Sequence, residues 1–271
     1  FLKNRALFLI KFVYMNSIIE NNTVYYYSLI IWIIFGLIIF CILIKFNKIP
    51  TYGRYFPKRG ILLNNRLGWI LMEIPTLILM PYFTFNGLNY PNTVIICFLS
   101  IYMAHYMNRT LIFPFRIKSK KKKLPIHIVI SAALFNLCNT FFIGYYFGNI
   151  AEHEITWLQT PYFISGLIIF LIGMFINIKS DTILINLRKN NNDDYKIPFG
   201  GLFRYISCPN YFGEILEWLG FAILTWSLST LAFMLWTCFN LIPRAIRHHN
   251  WYKNRFNNYP DERRAIFPKI L

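Results

Sequence analysis

Charge is scarce in this sequence: Asp, Glu, Lys and Arg make up 14% of the 271 residues, against about 25% in soluble domains. Acidic residues are rarer still, 11 against 28 Lys and Arg. The shortage of charge excludes a water-soluble globular domain. The +17 imbalance does not indicate nucleic acid, because the cations fall between long apolar runs and form no contiguous basic face. Cysteine is sparse too. Five residues (Cys41, Cys97, Cys138, Cys208, Cys238), with no CxxC spacing, give neither a zinc site nor a disulfide framework. GxGxxG and GxxxxGK[ST] are both missing, which removes Rossmann and P-loop nucleotide domains. The five histidines (His105, His127, His153, His248, His249) form no HExxH and no multi-histidine cluster, so no metal is expected.

What the chain has in quantity is apolar sequence, 56% hydrophobic and 19% aromatic. A spanning helix needs about 20 mainly apolar residues. The candidates are Val24–Ile44, Leu67–Phe85, Thr93–Ala104, Ile126–Phe147, Pro161–Ile178, Tyr211–Trp226 and Ser229–Ile242. The third continues through His105 to Phe115, and the last two are short helices joined by a tight turn at Ser227-Leu228. The fold class is therefore all-α, a polytopic membrane protein of seven transmembrane helices. Residues 24–271 form one domain, residues 1–23 are set apart as an N-terminal segment, and Phe1–Asn16 is not assigned as a signal peptide.

Lys and Arg are enriched on the cytoplasmic side of membrane proteins. Lys45–Arg66 carries six, Arg109–Lys123 seven, Lys179–Arg204 five and Arg244–Lys269 seven, whereas Asn86–Asn92, Gly148–Thr160 and the Ser227 turn carry none. Seven spans with a cytoplasmic C-terminus satisfy this alternation. Asn21-Asn22-Thr23 is then a lumenal glycosylation sequon and Asn108-Arg109-Thr110 faces the wrong side. The Lys118-Ser-Lys-Lys-Lys-Lys123 run lies where anionic headgroups would attract it, and it reads equally as a solvated basic loop or a ligand contact.

Ionisable residues inside a span cost roughly 2.5–3.5 kcal/mol each and warrant a functional hypothesis. Glu73 lies mid-span beside Pro75; its plainer reading is a structural hydrogen bond to another helix. Tyr106 and Arg109 stand three apart at the end of the third span, where a phenol beside a guanidinium can donate a proton, although both residues are ordinary membrane anchors. Asn177, Asp181 and Arg188 share one helix face. That stripe suits a nucleotide's carboxamide, ribose and phosphate, or an ion-paired helix end. Gly200-Gly201 marks a turn, and Asn210 is placed to cap the next helix. Glu214 and Glu217, one turn apart in apolar surroundings, must be protonated or paired with cations. Arg244, His248 and Tyr252 form a further stripe at intervals of four, as an amphipathic tail also would.

Tyr195-Lys-Ile-Pro-Phe-Gly-Gly-Leu-Phe-Arg-Tyr205, Cys208-Pro-Asn-Tyr-Phe-Gly-Glu-Ile-Leu-Glu-Trp218, and the segment from Pro243-Arg-Ala through His249-Asn-Trp-Tyr252 to Tyr259-Pro260 resemble the steroid 5α-reductase family. The resemblance covers Leu67–Leu271, with His105–Thr110 and Asn177–Asp181 in family order; ahead of it only Tyr52-Gly53-Arg54 has a similar counterpart. It implies seven helices holding NADPH in a cavity open to the cytosol, and a steroid or related lipid enone such as a Δ4-3-ketosteroid as substrate. By resemblance Glu73 and Tyr106 match the pair that binds the substrate carbonyl and carry the catalysis. Arg109, Asn177, Asp181, Arg188, Tyr195, Asn210, Arg244, His248 and Tyr252 match cofactor contacts, and Glu214 matches an acidic position lining the cofactor region. The chain departs from the family at Phe113, where animal members often have Tyr, at Lys196, where some have Arg, and at Lys120–Lys123, which replaces an Arg-containing loop. Lys does not reproduce the bidentate grip of Arg on a phosphate.

The resemblance implies reduction of the enone double bond by hydride transfer, in the endoplasmic reticulum membrane, by a monomer. Enoyl-CoA and polyprenol reductases of the same family are alternatives. So are membrane methyltransferases, which share a related helical core but bind S-adenosylmethionine, and a non-enzymatic sterol-binding protein.

Overall fold

The computed structural model describes residues 2–46, 61–117, 123–187 and 195–271, with side chains from Asn22 onward. Helix α1 (Leu2–Lys45) is followed by strand β1 (Leu62–Asn64), α2 (Asn65–Phe85), α3 (Thr93–Met107), a π-helical turn (Asn108–Ile112) and the short α4 (Phe113–Arg116). Then come β2 (Lys123–Pro125), α5 (Ile126–Tyr145) with a second π turn (Tyr146–Ile150), α6 (Pro161–Leu187), α7 (Pro209–Thr225) and α8 (Leu228–Arg255). The chain is mostly helical, as read from the sequence, and α3 with its π turn and α4 makes the continuous segment expected up to Phe115.

Among the described residues four helical segments are long and apolar enough to cross a membrane: Asn22–Lys45, Asn65–Phe85, Ile126–Ile150 and Pro161–Leu187. The other three expected spans fall outside that class for visible reasons. Helix α3 runs 15 residues before the π turn, α7 has 17 residues and holds Glu214 and Glu217, and α8 carries its apolar half and its cationic half in one 28-residue helix.

Local chemistry sets the boundaries. The Asn92 side chain accepts from the backbone N–H of Val94 and Ile95 at 3.1 Å each and donates to the His153 carbonyl at 2.6 Å, which caps α3 and ties two connections together. Trp226 adopts a left-handed conformation (φ 49°) and Ser227 caps α8. Helices α7 and α8 are therefore two helices rather than one bent one. A two-stranded antiparallel sheet, not expected from the sequence, pairs Leu62 with Pro125, Leu63 with Leu124 and Asn64 with Lys123. Each strand runs directly into a helix, so the sheet fixes the starts of α2 and α5 side by side.

Helices α6 and α7 pack backbone to backbone. Gly166 and Gly173 on α6 face Gly220 and Gly213 on α7, and a methyl at Gly166 would meet the Leu224 nitrogen at 2.5 Å and the Gly220 carbonyl at 2.7 Å. Both glycine pairs are seven residues apart, two helical turns, so one seam runs along both helices. Outside it lies an aromatic core of Phe98, Tyr102, Phe147, Phe170, Trp218, Phe221 and Phe233. Helix α1 closes the bundle against α8. Trp236 donates from Nε1 to the Trp32 carbonyl at 3.1 Å, and Arg247 reaches the Leu43 carbonyl at 2.8 Å.

Candidate active site

The glycine seam decides what stands at its end. One and two turns beyond Gly173, the buried Asn177 and Asp181 meet the first turns of α7. Asn177 donates from Nδ2 to the Asn210 carbonyl at 3.0 Å and to Glu214 Oε2 at 3.4 Å. Asn210 donates from Nδ2 to Asp181 Oδ1 at 3.1 Å. Asn210 therefore does not cap α7 as expected. The helix starts at Pro209 with Cys208 as its cap residue and no side-chain cap bond, which leaves the Asn210 amide turned toward α6.

Arg109 links this cluster to the third helical segment. Its Nη1 donates to Asp181 Oδ2 at 3.2 Å, and Nη2 lies 3.6 Å from Glu214 Oε2. Its guanidinium also sits over the rings of Trp69 at 4.9 Å and Phe113 at 4.7 Å, so Phe113 serves as a platform for the cation. The π turn begins at Asn108 and adds a residue to the helical repeat, which re-aims side chains where such turns occur. Farther along, Arg116 hydrogen-bonds Thr182. Arg109, Asn177, Asp181, Asn210 and Glu214 thus converge on one site from three helical segments.

Glu73 is half-buried on α2, and Tyr106 is buried near the end of α3, three residues before Arg109. Tyr106 is 3% exposed and its ring lies 4.8 Å from that of Tyr102. The Glu73 carboxyl accepts from Asn136 Nδ2 at 2.9 Å, and the same amide donates to the Met72 carbonyl at 2.8 Å. Glu73 is thus tied to α5 by a hydrogen bond. No hydrogen bond links Glu73 to Tyr106 among the described residues. The buried Thr76 hydroxyl has no hydrogen-bond partner among the described residues, and the Tyr102 hydroxyl faces Thr140 and Tyr106 without a well-formed bond to either. Buried hydroxyls left in this state mark room for a polar ligand atom.

The remaining predicted residues lie around α8. His248 Nε2 is 3.3 Å from the Tyr211 hydroxyl, next in sequence to Asn210, and Arg244 donates to Asn240 at 3.2 Å. Tyr252 is buried and stacks on Tyr259 with ring centroids 5.4 Å apart and an interplanar angle of 8°. Tyr195 packs edge-on against Trp251 at 5.1 Å. The C-terminal segment returns to this region through a bridge between Ile206 and Arg264, and the Ser207 hydroxyl lies 2.6 Å from both His249 Nδ1 and the Tyr259 hydroxyl. Burial, then the nearby charges of Lys253 and Arg264, hold the His249 imidazole below its ordinary value of 6.5. Arg188, the Tyr52-Gly53-Arg54 element and all but Lys123 of the lysine run lie outside the described residues.

Several contributors escaped the sequence reading. Asn136 was detectable as a lone amide within an apolar span, with Asn139 one turn on. His105, which lies 2.7 Å from Glu217, stands inside a quoted motif but carried no role. Trp69 as an arginine platform leaves no sequence signal.

Together these features define a helical membrane protein with a buried, charged polar centre at the end of its closest helix–helix seam. The comparisons make the class specific. A family model described as 3-oxo-5-alpha-steroid 4-dehydrogenase matches residues 122–271. A steroid 5-alpha-reductase DET2 of Solanum lycopersicum is 42% identical over 236 residues, covering 84% of this chain and 90% of its own. The DET2 protein of Gossypium hirsutum is 36% identical over 260 residues, covering 93% of this chain and 99% of its own. The 3-oxo-5-alpha-steroid 4-dehydrogenase 1 of Rattus norvegicus is 40% identical over 227 residues, covering 81% and 86%. The chain belongs to the 3-oxo-5-alpha-steroid 4-dehydrogenase family.

Proposed function

We propose that this protein reduces the carbon–carbon double bond of an enone, a Δ4-3-ketosteroid, to the 5α-dihydro product with NADPH as reductant. The observation that supports this reading is a buried phenol, Tyr106, and a half-buried carboxyl, Glu73, in the same helical bundle as the amide–carboxylate–guanidinium cluster at Arg109, in a chain whose relatives are named for this reaction.

The residues present fit the cofactor. Asn177, Asn210, Asp181 and Glu214 offer the amide and carboxylate partners that a carboxamide and ribose hydroxyls require. Arg109, Arg244, His248, Tyr195 and Tyr252 would extend the site toward its phosphates, with Arg188. When bound, NADPH supplies the hydride.

The chain's own part is to orient and to stabilise charge. Tyr106 donates its O–H to the substrate carbonyl, where negative charge accumulates when the β carbon receives hydride. A protonated Glu73, pinned by Asn136, adds a second O–H to the same oxygen. Both groups lie among apolar side chains, where a hydrogen bond to developing charge counts for more than in water. The surrounding aromatic core excludes bulk water from the reacting bond.

The same reading includes a seven-span topology, with α3 through α4, α7 and α8 crossing alongside the four longest apolar helices. Its support is the alternation of Lys and Arg between connections. The C-terminus and the Arg109 cluster then face the cytosol of the endoplasmic reticulum membrane, and the protein acts as a monomer.

The test uses purified protein in liposomes with NADPH and a panel of enones, following NADPH oxidation and product mass together. Reduction of a Δ4-3-ketosteroid is expected. Reduction of a long-chain enoyl-CoA but no 3-ketosteroid would overturn the substrate class.

A further inference from the structure

The His105–Glu217 pair takes no part in the chemistry above. Glu217 on α7 is 0% exposed and His105 on α3 is 5% exposed, and His105 Nδ1 lies 2.7 Å from Glu217 Oε1. The imidazole packs edge-on against Trp218 with centroids 4.6 Å apart, and against Tyr106 at 5.0 Å. The second carboxyl oxygen, Glu217 Oε2, is buried with no hydrogen-bond partner among the described residues. Leaving a buried polar atom unmatched costs about 1–3 kcal/mol, and an apolar pair of the same volume is often at least as good for stability. Stability alone therefore does not account for the pair.

An imidazole bonded to a carboxyl group holds one transferable proton without net charge. It is imidazolium with carboxylate, or imidazole with carboxylic acid. A neutral proton store is the form that an apolar interior tolerates. The proposed reaction consumes one proton per turnover in such an interior. Hydride addition forms the C–H bond at the β carbon and shifts the C=C electron pair toward the carbonyl, giving an enolate. The enolate pair then takes a proton to form the C–H bond at the α carbon.

We propose that His105 and Glu217 are the proton store for the Tyr106–Glu73 site, an inference that rests on the enone-reductase reading. Tyr106 gives its O–H proton to the enolate, the pair gives one proton back to the Tyr106 oxygen, leaving neutral imidazole and carboxylate, and the pair regains one from water. Among the described residues the ionisable groups around it are Tyr102, Tyr106 and Arg109 on the third helical segment, Glu214 on α7, Glu73 on α2, and Asp181, which reaches it through Arg109. His105 and Glu217 act through these neighbours, so they are positioning residues for the proton.

The experiment measures kcat and both KM values against pH for the full chain in lipid nanodiscs, with NADPH and a Δ4-3-ketosteroid. In Glu217→Gln, kcat is expected to fall about a hundredfold, within the range of lost acid–base catalysis, with both KM values held within about twofold. Glu217→Asp is expected to restore most of the loss. Wild-type kcat should be flat between about pH 6 and pH 8, whereas kcat of Glu217→Gln should fall as pH rises, because its protons come from bulk water. If Glu217→Gln does not give folded protein, His105→Gln is judged by the same criteria, and wild-type turnover in D2O must be slowed. Wild-type kcat in both variants, a loss with an unchanged pH profile, or the absence of any solvent isotope effect overturns the proton store. A wild-type protein that reduces no enone overturns the functional reading itself, a separate result.

Discussion

In the Arg109 cluster at the end of the α6–α7 seam the polar groups are matched to one another: Asn177 to Asn210 and Glu214, Asn210 to Asp181, Asp181 to Arg109. Around α2, α3 and α5 they are not. Glu73 has one amide partner, the Thr76 hydroxyl has none among the described residues, and the Tyr102 hydroxyl lacks a well-formed bond. The first region is held by backbone contact between glycines, which leaves no room for rearrangement. The second is lined by side chains that retain bonding capacity. The proposed reduction, with a large polar cofactor held in one pose and a mostly apolar substrate held by a single carbonyl, would use this division, a rigid pre-matched wall and a wall with open hydrogen bonds.

Breaking the seam should have the largest effect. A branched side chain at Gly220 or Gly173 would press on the backbone of the facing helix, where no rotamer change relieves it, so Gly220→Val is expected to cost about 3 kcal/mol or more. Loss of monodisperse protein after detergent extraction, or a sharply lowered melting temperature, reads this directly. A variant that folds and turns over normally would show that the seam is looser than it looks.

On the open wall, Tyr106→Phe and Glu73→Gln should leave the fold intact. Tyr106→Phe is expected to lower turnover by a transition-state loss of about 2.7–4 kcal/mol, the usual effect of deleting one donor to a developing oxyanion, and Glu73→Gln, which exchanges the carboxyl O–H for a weaker amide N–H donor, by less. NADPH titration should show binding unchanged, and the difference between the two readouts separates this wall from the seam. On the matched wall, Asp181→Asn removes the charge that holds Arg109. It should weaken NADPH binding about tenfold, comparable to the lower end of effects from breaking charged hydrogen bonds, with a smaller change in kcat at saturation.

The smallest effect concerns pH at the C-terminal segment. His249 is held below its ordinary 6.5 by burial and by Lys253 and Arg264, so the unfolded chain binds the proton more readily than the folded one. Stability from this group is complete above about pH 6.5 and declines as pH falls below it. Proteolysis of the C-terminal segment should therefore speed up on mild acidification, and His249→Gln should flatten that dependence.

Much of this was legible in the sequence, for identifiable reasons. Helices reveal themselves through long apolar runs, so the helices themselves and the two-helix α7–α8 arrangement followed from hydropathy and the turn at Ser227. Polar residues stand out in apolar runs, so Glu73, Asn177, Asp181 and Glu214 were visible. Contacts between helices were not. The Asn136–Glu73 bond joins residues 63 apart and the His105–Glu217 pair residues 112 apart, and no local period encodes either. The role of Asn210 was misplaced because cap propensity is local, while the Asp181 carboxylate that claims its amide comes from another helix. The β1–β2 pairing was missed because three residues are too short for an alternation pattern.

The central claim is that the cluster at Arg109 and the pair Tyr106–Glu73 belong to one enone-reducing site, and its most direct measurement is double. Liposome-bound wild type, Tyr106→Phe and Asp181→Asn are compared for NADPH affinity and for mass-detected conversion of a Δ4-3-ketosteroid. The account predicts that Tyr106→Phe binds NADPH like wild type but forms little product, and that Asp181→Asn binds NADPH weakly but forms product when NADPH is raised. Product formation at the wild-type rate by Tyr106→Phe, or unchanged NADPH affinity in Asp181→Asn, would contradict it.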